Sequence, residues 1–315
     1  MSAVSADSGR SPRRILLSGA SGLVGKALCA ALAEAGWEVV RLVRRPAGPG
    51  EVTWNPAASR VDLAGIGVVE AVVHLSGESV SRRWTQATRA EISYSRANST
   101  DILARGLAEM PIPPRVFVSA SAVGWYGDRG DELLTEVSRG GATGFLPEVC
   151  GEWEGATMPA SEAGIRTVNL RIGVVLSANG GALPNLLGPV RFGLGAVVGT
   201  GDQFFPWIAL DDLVALIIWS LDAELAGPVN ATAPDPVTNR VLMETLGRVC
   251  GRPVLFRVPG WFIGLALGDM GRELLVGGQR AVPAKALAGG FRFAHPDLEA
   301  ALRREAQGGA VAKQR

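Results

Sequence analysis

The chain has 315 residues, of which 47% are hydrophobic and 19% are charged, a composition that excludes a disordered protein. Its 31 basic and 30 acidic side chains leave a net charge of +1, so there is no electrostatic basis for binding nucleic acid or an anionic membrane. The 3 cysteines are widely spaced and there are only 2 histidines, which argues against a disulfide framework and against a metal site.

The two ends of the chain are predicted to be tails outside the fold, a disordered one over residues 1–13 and a second one over residues 306–315. The first segment is small, polar and tipped with arginine, and it lacks the apolar stretch of a secretory signal. Elsewhere no apolar run approaches the roughly 20 residues of a membrane span. We therefore expect a cytoplasmic protein without a membrane partner.

The first half of the chain alternates between predicted strands and predicted helices. The strands are Arg14–Ser18, Trp37–Val43, Val52–Trp54, Glu70–Leu75, Val116–Ser119 and Thr167–Leu176. The helices between them are Lys26–Ala35, Trp84–Met110 and Phe145–Ala163. Continuous Val and Leu runs are typical of strands buried on both faces of a parallel sheet. The alternation therefore predicts an α/β fold of the Rossmann type, with a doubly wound parallel sheet.

After Asn179 the alternation becomes irregular. Further helices are predicted at Asp211–Leu221, Val241–Cys250, Trp261–Val276 and Pro296–Arg303, the first with an aspartate at its cap. We expect a Rossmann domain over residues 14–178. A smaller, mostly helical C-terminal lobe over residues 179–305 is expected on the substrate side, with parts that return to the sheet.

A glycine-rich loop joins the first predicted strand to the first predicted helix. Gly19 permits a tight turn, Gly22 lets the backbone approach a pyrophosphate, and Gly25 lets the helix pack closely on the strand. The helix N-terminus then offers unpaired N–H groups and the positive end of its dipole to phosphates. We assign to cofactor binding the loop residues Gly19, Ser21, Gly22, Leu23, Val24 and Gly25. The alternative is a glycine-rich turn that binds nothing.

The end of the second predicted strand indicates which dinucleotide the loop binds. NAD sites usually carry Asp or Glu about 20 residues after the glycines, where the carboxylate binds the ribose 2′-hydroxyl. This chain has Arg44 and Arg45 there. Two guanidinium groups suit a 2′-phosphate, which they bind through charge-assisted, forked hydrogen bonds. The sequence therefore predicts NADP(H) as the cofactor. The alternative is that both arginines are solvated loop charges.

Several segments, spread over nearly the whole chain, together resemble a known family. They are Gly19–Gly25, Arg44-Arg45-Pro46, His74-Leu75-Ser76-Gly77-Glu78, Arg83-Trp84-Thr85, Glu91, Ser95-Arg96, Asn98, Ser119–Asp131, Phe205-Pro206-Trp207-Ile208, Asp211-Asp212-Leu213, Gly290-Phe291-Arg292-Phe293 and Pro296-Asp297-Leu298. On these residues the chain resembles the extended short-chain dehydrogenase/reductase superfamily. Within it, the chain is similar to the atypical, epimerase-like family that binds NADP and has its own C-terminal segment.

The resemblance implies positions for further cofactor contacts. It places Leu75, Ser76 and Gly77 beside the adenine ribose and the bridging phosphates. It also implies that Glu91 and Arg96 approach the cofactor from the long helix. The alternative for these two is an ordinary exposed helix face, since charged helix residues are usually solvated.

The catalytic pair typical of this superfamily is absent from the chain. Typical members use Tyr-x-x-x-Lys, in which the ammonium lowers the pKa of the tyrosine and the phenol exchanges a proton with the substrate. The chain has 2 tyrosines, and the residues four positions after them are Asn98 and Gly130. In the helix expected to carry the pair, Phe145 takes the tyrosine position and Val149 the lysine position.

Residues near the end of the fifth predicted strand remain candidates for the site. Relatives keep a substrate-orienting hydroxyl here, so we assign Ser121 to catalysis and Ser119 to cofactor binding. Tyr126 is the nearest phenol in sequence, and we assign it as a displaced general acid. The alternative for Tyr126 is an amphipathic aromatic whose hydroxyl pairs with the backbone. Cys150 and Glu154, one turn apart on the next helix, also fit a position facing the nicotinamide. The alternative for Cys150 is a small buried hydrophobic residue, which is the more frequent role of a buried cysteine.

Two functions from different classes follow. The first is an NADP(H)-binding epimerase-like or oxidoreductase-like enzyme that acts on a small polar substrate and uses a non-standard acid. The second is a catalytically impaired NADP(H)-binding sensor or scaffold, because the Tyr-x-x-x-Lys pair is missing. In either case we expect a small-molecule partner and neither a metal nor a nucleic acid. Relatives often dimerise through the two long helices, so a homodimer is one expectation for the oligomeric state.

Overall fold

A computed structural model of the protein describes residues 13–58 and 61–311, and of residues 308–311 only the backbone. Most of the two predicted tails therefore lies outside the described residues. Arg13 already belongs to the first strand, and the last helix, Leu298–Val311, runs past the predicted end of the fold at residue 305. Within the described part of the chain, no helix has the length and apolar character needed to cross a bilayer.

Seven strands, all parallel, form the central sheet. In chain order they are β1 Arg13–Ser18, β2 Trp37–Val43, β3 Glu51–Thr53, β4 Ala71–His74, β5 Val116–Ala122, β6 Arg166–Ile172 and β7 Gly227–Ala231. Their order across the sheet is β7-β6-β5-β4-β1-β2-β3. The strand order reverses between β1 and β4. In open α/β sheets, ligands bind outside the carboxyl ends of the strands at such a point.

The described residues form ten α-helices, of which some pack on the sheet and others belong to a separate core. They are α1 Leu23–Glu34, α2 Gln86–Ala108, α3 Phe145–Gly155, α4 Met158–Glu162, α5 Leu183–Arg191, α6 Leu210–Asp222, α7 Asn239–Cys250, α8 Gly260–Gly271, α9 Ala284–Ala288 and α10 Leu298–Val311. A short π-helical turn, Arg272–Val276, follows α8. Short paired strands lie in the connections: Leu133–Leu134 with Arg280–Ala281, Val174–Leu176 with Trp207–Ala209, Ala196–Val198 with Phe256–Val258, and Phe204–Phe205 with Val237–Thr238.

Helices cover both faces of the sheet, which confirms the doubly wound Rossmann prediction. On one face α1 and α6 bury leucines and isoleucines against the strands, among them Leu28, Leu32 and Ile217. On the other face α2 buries Leu103 and Leu107 fully, and α4 buries Ala160. Since both faces are covered, strands such as β4 and β5 are buried along almost their whole length.

Two predicted elements are each divided in the structure. The predicted helix Phe145–Ala163 is α3 followed by α4, and the predicted strand Thr167–Leu176 is β6 followed by the separate strand Val174–Leu176. The break in the strand falls at Gly173, where a Cβ would lie 2.8 Å from the carbonyl oxygen of Pro206. The chain therefore leaves the sheet at a position that only glycine can occupy in this packing.

Residues after position 178 contribute both to the sheet and to a separate core. Strand β7, which follows residue 178 in the chain, pairs with β6 at the edge of the sheet. A second apolar core, with Leu187 of α5, Leu242 of α7 and Leu302 of α10, holds the helices of the lobe together.

A buried carboxylate of α6 binds the backbone of the C-terminal segment. Asp212 accepts hydrogen bonds from the backbone N–H groups of Ala294 and His295. The residue before α6 is Ala209, which has no side-chain cap, so the aspartate predicted as the cap is a first-turn charge instead. A negative charge in the first turn also suits the positive end of the helix dipole.

Candidate functional site

The carboxyl ends of β1 and β4 are joined by a buried polar contact. Ser18 Oγ lies 2.6 Å from Nδ1 of His74, and Nε2 of His74 lies 3.2 Å from Ser99 Oγ on α2. Burial lowers the pKa of His74 to about 3, because a charged imidazolium would lose its hydration there. His74 is therefore a neutral core residue that fixes the floor of the switch point.

The glycine loop lies directly above this floor. Gly19 has a φ of +74°, and a Cβ there would lie 2.7 Å from the carbonyl carbon of Leu75. A Cβ on Gly25 would lie 2.2 Å from the oxygen of Gly19, so α1 packs closely on the loop. Gly22 precedes α1 without any side-chain cap, and the first turn of α1 holds no acidic residue. The N-terminus of α1 is thus open to an anion.

A cavity of about 1190 Å³ extends from this loop. The predicted cofactor residues that line it are Gly19, Ser21, Gly22, Arg44, Arg45, Leu75, Ser76, Gly77 and Glu91. In the structure, predicted residues from four separate segments of the chain therefore line one cavity. Leu23, Val24 and Gly25 belong to the first turn of α1 beside it.

The two predicted arginines differ in their surroundings. Arg45 donates two hydrogen bonds, of 2.7 and 2.8 Å, to the carboxylate of Glu51, whose side chain is only 4% exposed. Arg41 also pairs with Glu51, at 3.1 Å. These hydrogen bonds hold the pKa of Glu51 below its usual value. Arg44 is 76% exposed and has only a 3.4 Å contact with Glu78, so its guanidinium is free to bind a phosphate. Sequence reasoning did not identify Glu51.

The two charged residues predicted on α2 occupy different environments. Glu91 is exposed and pairs with Arg82 at 2.9 Å, at the wall of the larger cavity. Arg96 is largely buried and stacks on the ring of Trp153, with 5.0 Å between its Cζ and the ring centroid. Its guanidinium donates to the backbone oxygens of Ile92 and Glu78, at 3.2 and 2.8 Å. Burial lowers the pKa of Arg96.

A second cavity, of about 510 Å³, lies at the carboxyl end of β5. Ser121 lines it together with Gly124, Val149, Cys150 and Arg96. Arg96 also lies 3.3 Å from the position of a Cβ on Gly77, a residue of the larger cavity. The guanidinium of Arg96 therefore lies at the boundary between the two cavities.

Ser121 belongs to a chain of buried polar groups. Its hydroxyl donates to Oε1 of Glu154 at 2.8 Å. Arg171 donates from Nε and Nη2 to the two oxygens of the same carboxylate, each at 2.8 Å, and stacks on Trp125 at 3.5 Å. The side chain of Arg171 is only 3% exposed, and its ionic partner is Glu154. The pair orients the Ser121 hydroxyl at the cavity wall.

Tyr126 does not reach this cavity, which corrects its assignment as a general acid. The side chain is fully buried. Its hydroxyl lies 2.7 Å from Oδ1 of Asn230 and 3.0 Å from the oxygen of Thr135, and it accepts a hydrogen bond from Arg171 at 3.1 Å. A buried hydroxyl that already has three hydrogen-bond partners cannot also contact a ligand. The structure therefore agrees with the alternative of a buried aromatic with a paired hydroxyl.

Ser119 requires a similar correction. It is fully buried, and its hydroxyl donates to the backbone oxygen of Ala120 at 3.2 Å. Ser121 lies two residues further along β5, where the strand ends at the smaller cavity. Of the two serines, only Ser121 lines the smaller cavity, although its exposed fraction is also small, at 2%.

The positions of the missing catalytic pair are filled by an apolar cluster. Phe145 and Val149 pack with Ile92 and Trp84, and the rings of Trp84 and Phe145 are 4.8 Å apart. Cys150 follows Val149 in α3. Burial raises the pKa of its thiol to about 12, so this thiol is protonated at neutral pH. Neither a phenol nor an ammonium replaces the pair at these positions.

Glu273, from the π-helical turn after α8, is a site residue that sequence reasoning missed. Its two carboxylate oxygens accept from the backbone N–H groups of Phe145 and Leu146, at 3.0 and 2.9 Å. The carboxylate thus caps α3 and also lines the smaller cavity. No local pattern in the sequence connects residue 273 with a helix that begins at residue 145, because the contact depends on tertiary packing.

The open helix N-terminus at the switch point, with its adjoining cavity, defines a dinucleotide-binding protein of the Rossmann class. Two family models match the chain: the NAD dependent epimerase/dehydratase family over residues 15–232, and the Domain of unknown function (DUF1731) over residues 258–305. The chain belongs to the NAD dependent epimerase/dehydratase family, which confirms the resemblance found in the sequence.

Proteins similar to this chain cover most of its length. An epimerase family protein of Mycobacterium leprae is 39% identical over 291 residues, covering 91% of this chain and 94% of that protein. A crystal structure of the human epimerase family protein SDR39U1 with NADPH is 34% identical, with a TM-score of 0.86, and the match covers 93% of this chain and 99% of that one. A nucleoside-diphosphate sugar epimerase from Corynebacterium glutamicum is 36% identical, with a TM-score of 0.78, and the match covers 96% of this chain and 62% of that one.

Proposed function

We propose that this protein is an NADP(H)-dependent oxidoreductase-like or epimerase-like enzyme in which Ser121 and Glu154 handle the substrate proton. The proposal depends on one observation above all: the Ser121 hydroxyl, bonded to the Glu154 carboxylate, lines a cavity that adjoins the glycine-loop cavity. A group that moves a proton must stand within hydrogen-bond reach of the substrate, and the position of Ser121 in the cavity lining supports this role.

The cofactor is NADP(H). The open N-terminus of α1 suits a pyrophosphate, and the larger cavity has room for a dinucleotide with Arg44 at its wall. A free guanidinium beside the adenosine end suits a 2′-phosphate. The NADPH bound to the human relative, at 34% identity, supports the same cofactor for this chain.

The smaller cavity is where a substrate would meet the cofactor. When bound, the cofactor supplies or accepts a hydride at a substrate carbon, and the neighbouring substrate oxygen must gain or lose a proton. Oxidation of an alcohol and reduction of a carbonyl use the same two movements in opposite directions. An epimerase performs both in sequence at one carbon.

Ser121 and Glu154 can provide the proton step. The hydroxyl proton of Ser121 points to Glu154, so the Ser121 lone pairs are available to a substrate hydroxyl in the cavity. In the oxidation direction the substrate proton passes to Ser121 and the Ser121 proton passes to Glu154. In the reduction direction each proton returns along the same path. Arg171 holds the carboxylate in place throughout.

The catalytically impaired sensor or scaffold remains the second candidate. The apolar cluster at Phe145 and Val149 favours it, since neither side chain can replace the phenol or the ammonium of typical relatives. This candidate predicts tight NADPH binding without turnover of any substrate.

Two measurements on the full chain separate the candidates. Fluorescence titration with NADPH and NADH tests the cofactor, and NADPH binding at least tenfold tighter than NADH is expected. Turnover is then screened with aldehydes, ketones, quinones and nucleotide sugars, using Ser121→Ala as the variant and Ser119→Ala as its control. Turnover abolished by Ser121→Ala alone supports the enzyme. NADPH binding without any turnover supports the sensor, and absence of NADPH binding contradicts both.

A further inference from the structure

We propose that the ligand of the smaller cavity is an uncharged carbonyl compound, or the corresponding alcohol, with an extended apolar body. This inference rests on the proposed function for its carbonyl group and on the cavity itself for its apolar body. It replaces the small polar substrate expected from the sequence, because the walls of this cavity are mostly apolar.

The walls of the cavity determine its chemistry. Its volume of about 510 Å³ lies within the range that holds drug-sized ligands. Around Ser121 the walls consist mainly of apolar side chains, among them Leu146, Val149, Trp153, Phe204 and Met243. Such walls favour a ligand by removing apolar surface from water, an effect proportional to the area buried.

The charges at the cavity do not suit a diphosphate. Among the described residues that line it, only Arg96 and Glu273 are charged, and their charges have opposite signs. Arg96 already donates to two backbone oxygens. A nucleoside diphosphate needs several cationic or N–H donors around its two phosphates, and this part of the described chain provides no second cation.

The N-terminus of α3, which adjoins the cavity at Leu146, is also closed to anions. The first N–H groups of α3, at Phe145 and Leu146, are bonded to the carboxylate of Glu273. An anionic ligand would therefore meet a negative charge at the place where Rossmann folds often offer a positive one. A neutral ligand meets no such repulsion.

The rim of the cavity indicates where the apolar body extends. Leu194 and Leu275 line the cavity and yet remain 62% and 38% exposed. Apolar side chains that are both lining and exposed form an apolar opening. A ligand longer than the cavity would extend from Ser121 to this rim and would cover the two exposed leucines.

A homologous series of ligands tests the inference. Calorimetry on the full chain measures the Kd of pentanal, heptanal, nonanal and undecanal. The protein is saturated with NADP⁺, because the oxidised cofactor cannot reduce these aldehydes during the measurement. We expect the Kd to fall by about fourfold for each buried methylene until the cavity is filled. UDP-glucose, the charged comparison ligand, is expected not to bind at millimolar concentration.

A pair of variants locates the binding at the rim. Leu194→Glu places a charge there, and it should weaken binding of undecanal at least tenfold while leaving pentanal unchanged. Leu287→Glu is the matched control, because Leu287 is 47% exposed on α9 and lies outside the cavity lining. Both substitutions are at exposed positions, so both variants should fold.

The outcomes distinguish this inference from the proposed function. A Kd that does not change with chain length, or UDP-glucose binding tighter than undecanal, overturns the inference even if NADPH binds and is consumed. If NADP⁺ fails to bind, the proposed function is contradicted, and the same aldehyde series on the cofactor-free protein still tests the cavity. Equal effects of Leu194→Glu and Leu287→Glu would also overturn it.

Discussion

Arg171 and Glu154 form a buried, two-pronged ion pair that connects the wall of the smaller cavity to the interior of the sheet. Both hydrogen bonds are 2.8 Å long, and the two side chains are 3% and 13% exposed. On one side the carboxylate accepts from Ser121, and on the other the guanidinium donates to Tyr126. One ion pair therefore fixes both a site hydroxyl and a structural phenol.

Tyr126→Phe should lower stability and leave activity intact. The substitution removes the hydroxyl that bonds Asn230 and Arg171 and leaves both partners buried without it. Loss of such hydrogen bonds costs about 1–3 kcal/mol, measured as the free energy of unfolding in urea. The kcat should stay within about twofold of the unaltered protein, since the hydroxyl does not contact the cavity.

Tyr94→Phe is the control for this variant, because Tyr94 is 48% exposed and its hydroxyl makes only a 3.4 Å contact with Pro56. Its free energy of unfolding should be unchanged. A large loss of kcat in Tyr126→Phe with no loss of stability would restore Tyr126 as a general acid and refute its structural role.

Arg44→Ala should weaken NADPH binding by about tenfold and leave NADH binding nearly unchanged, since a charge-assisted hydrogen bond to phosphate is lost. Arg45→Ala should have a smaller effect, because its guanidinium is already bonded to Glu51. Fluorescence titration at constant salt measures both. Arg105→Ala, an exposed arginine on α2, is the control. Equal weakening of both cofactors by Arg44→Ala would show that Arg44 does not contact the 2′-phosphate.

The hydrophobic pattern of the sequence predicts the fold, because the burial of both faces of the sheet determines that pattern. A sheet covered on both faces needs buried apolar strands, and such a run is visible in the sequence at Ala71–His74. For Trp37–Val43 the predicted bounds are those of the structure. The breaks at Gly173 and after Gly155 were not predicted, because they depend on distant contacts. One of these is the close approach of Pro206 to Gly173.

Glu273→Ala should destabilise the protein by about 1–2 kcal/mol, because α3 loses the cap on two N–H groups and a favourable charge at its positive end. Urea unfolding at neutral pH measures the change. Glu244→Ala on the exposed face of α7 is the control and should unfold as the unaltered protein does. A free energy of unfolding equal to that of the control would mean that the cap contributes nothing.

Acid should destabilise the protein through His74. Its pKa is about 3 in the folded protein and near 6.5 when unfolded, so the unfolded chain binds the proton first as the pH falls. The contribution of neutral His74 to the free energy of unfolding is therefore complete above pH 6.5. Below pH 6.5 the free energy of unfolding falls by about 1.4 kcal/mol per pH unit, until the pH reaches the pKa of His74 in the folded protein. Urea unfolding between pH 7 and pH 5 measures this slope.

His74→Gln provides the comparison for the acid effect. Glutamine keeps a polar group near Ser18 and Ser99 but does not titrate, so the variant should lose most of the slope between pH 7 and pH 5. A slope that persists unchanged in His74→Gln would assign the acid effect to other groups.

The sequence predicts some residues of the candidate site and gives no signal for others. Residues of the glycine loop and of the segment after β4 line one cavity, because short motifs at strand ends are local and meet at one sheet edge. Glu154, a candidate in the sequence, gains its role only through Arg171, which comes from a different element. Glu51 and Glu273 have no local signature, since each acts through a partner distant in sequence or across a loop.

Glu154→Gln, paired with Glu148→Gln on the exposed side of α3, tests the central claim most directly. Both variants are measured for NADPH Kd and for kcat on the best aldehyde found. If Ser121 and Glu154 carry the proton, Glu154→Gln lowers kcat by about 100-fold or more while its NADPH Kd and the kcat of Glu148→Gln stay unchanged. A kcat for Glu154→Gln equal to that of Glu148→Gln, in a variant that still binds NADPH, would contradict the account.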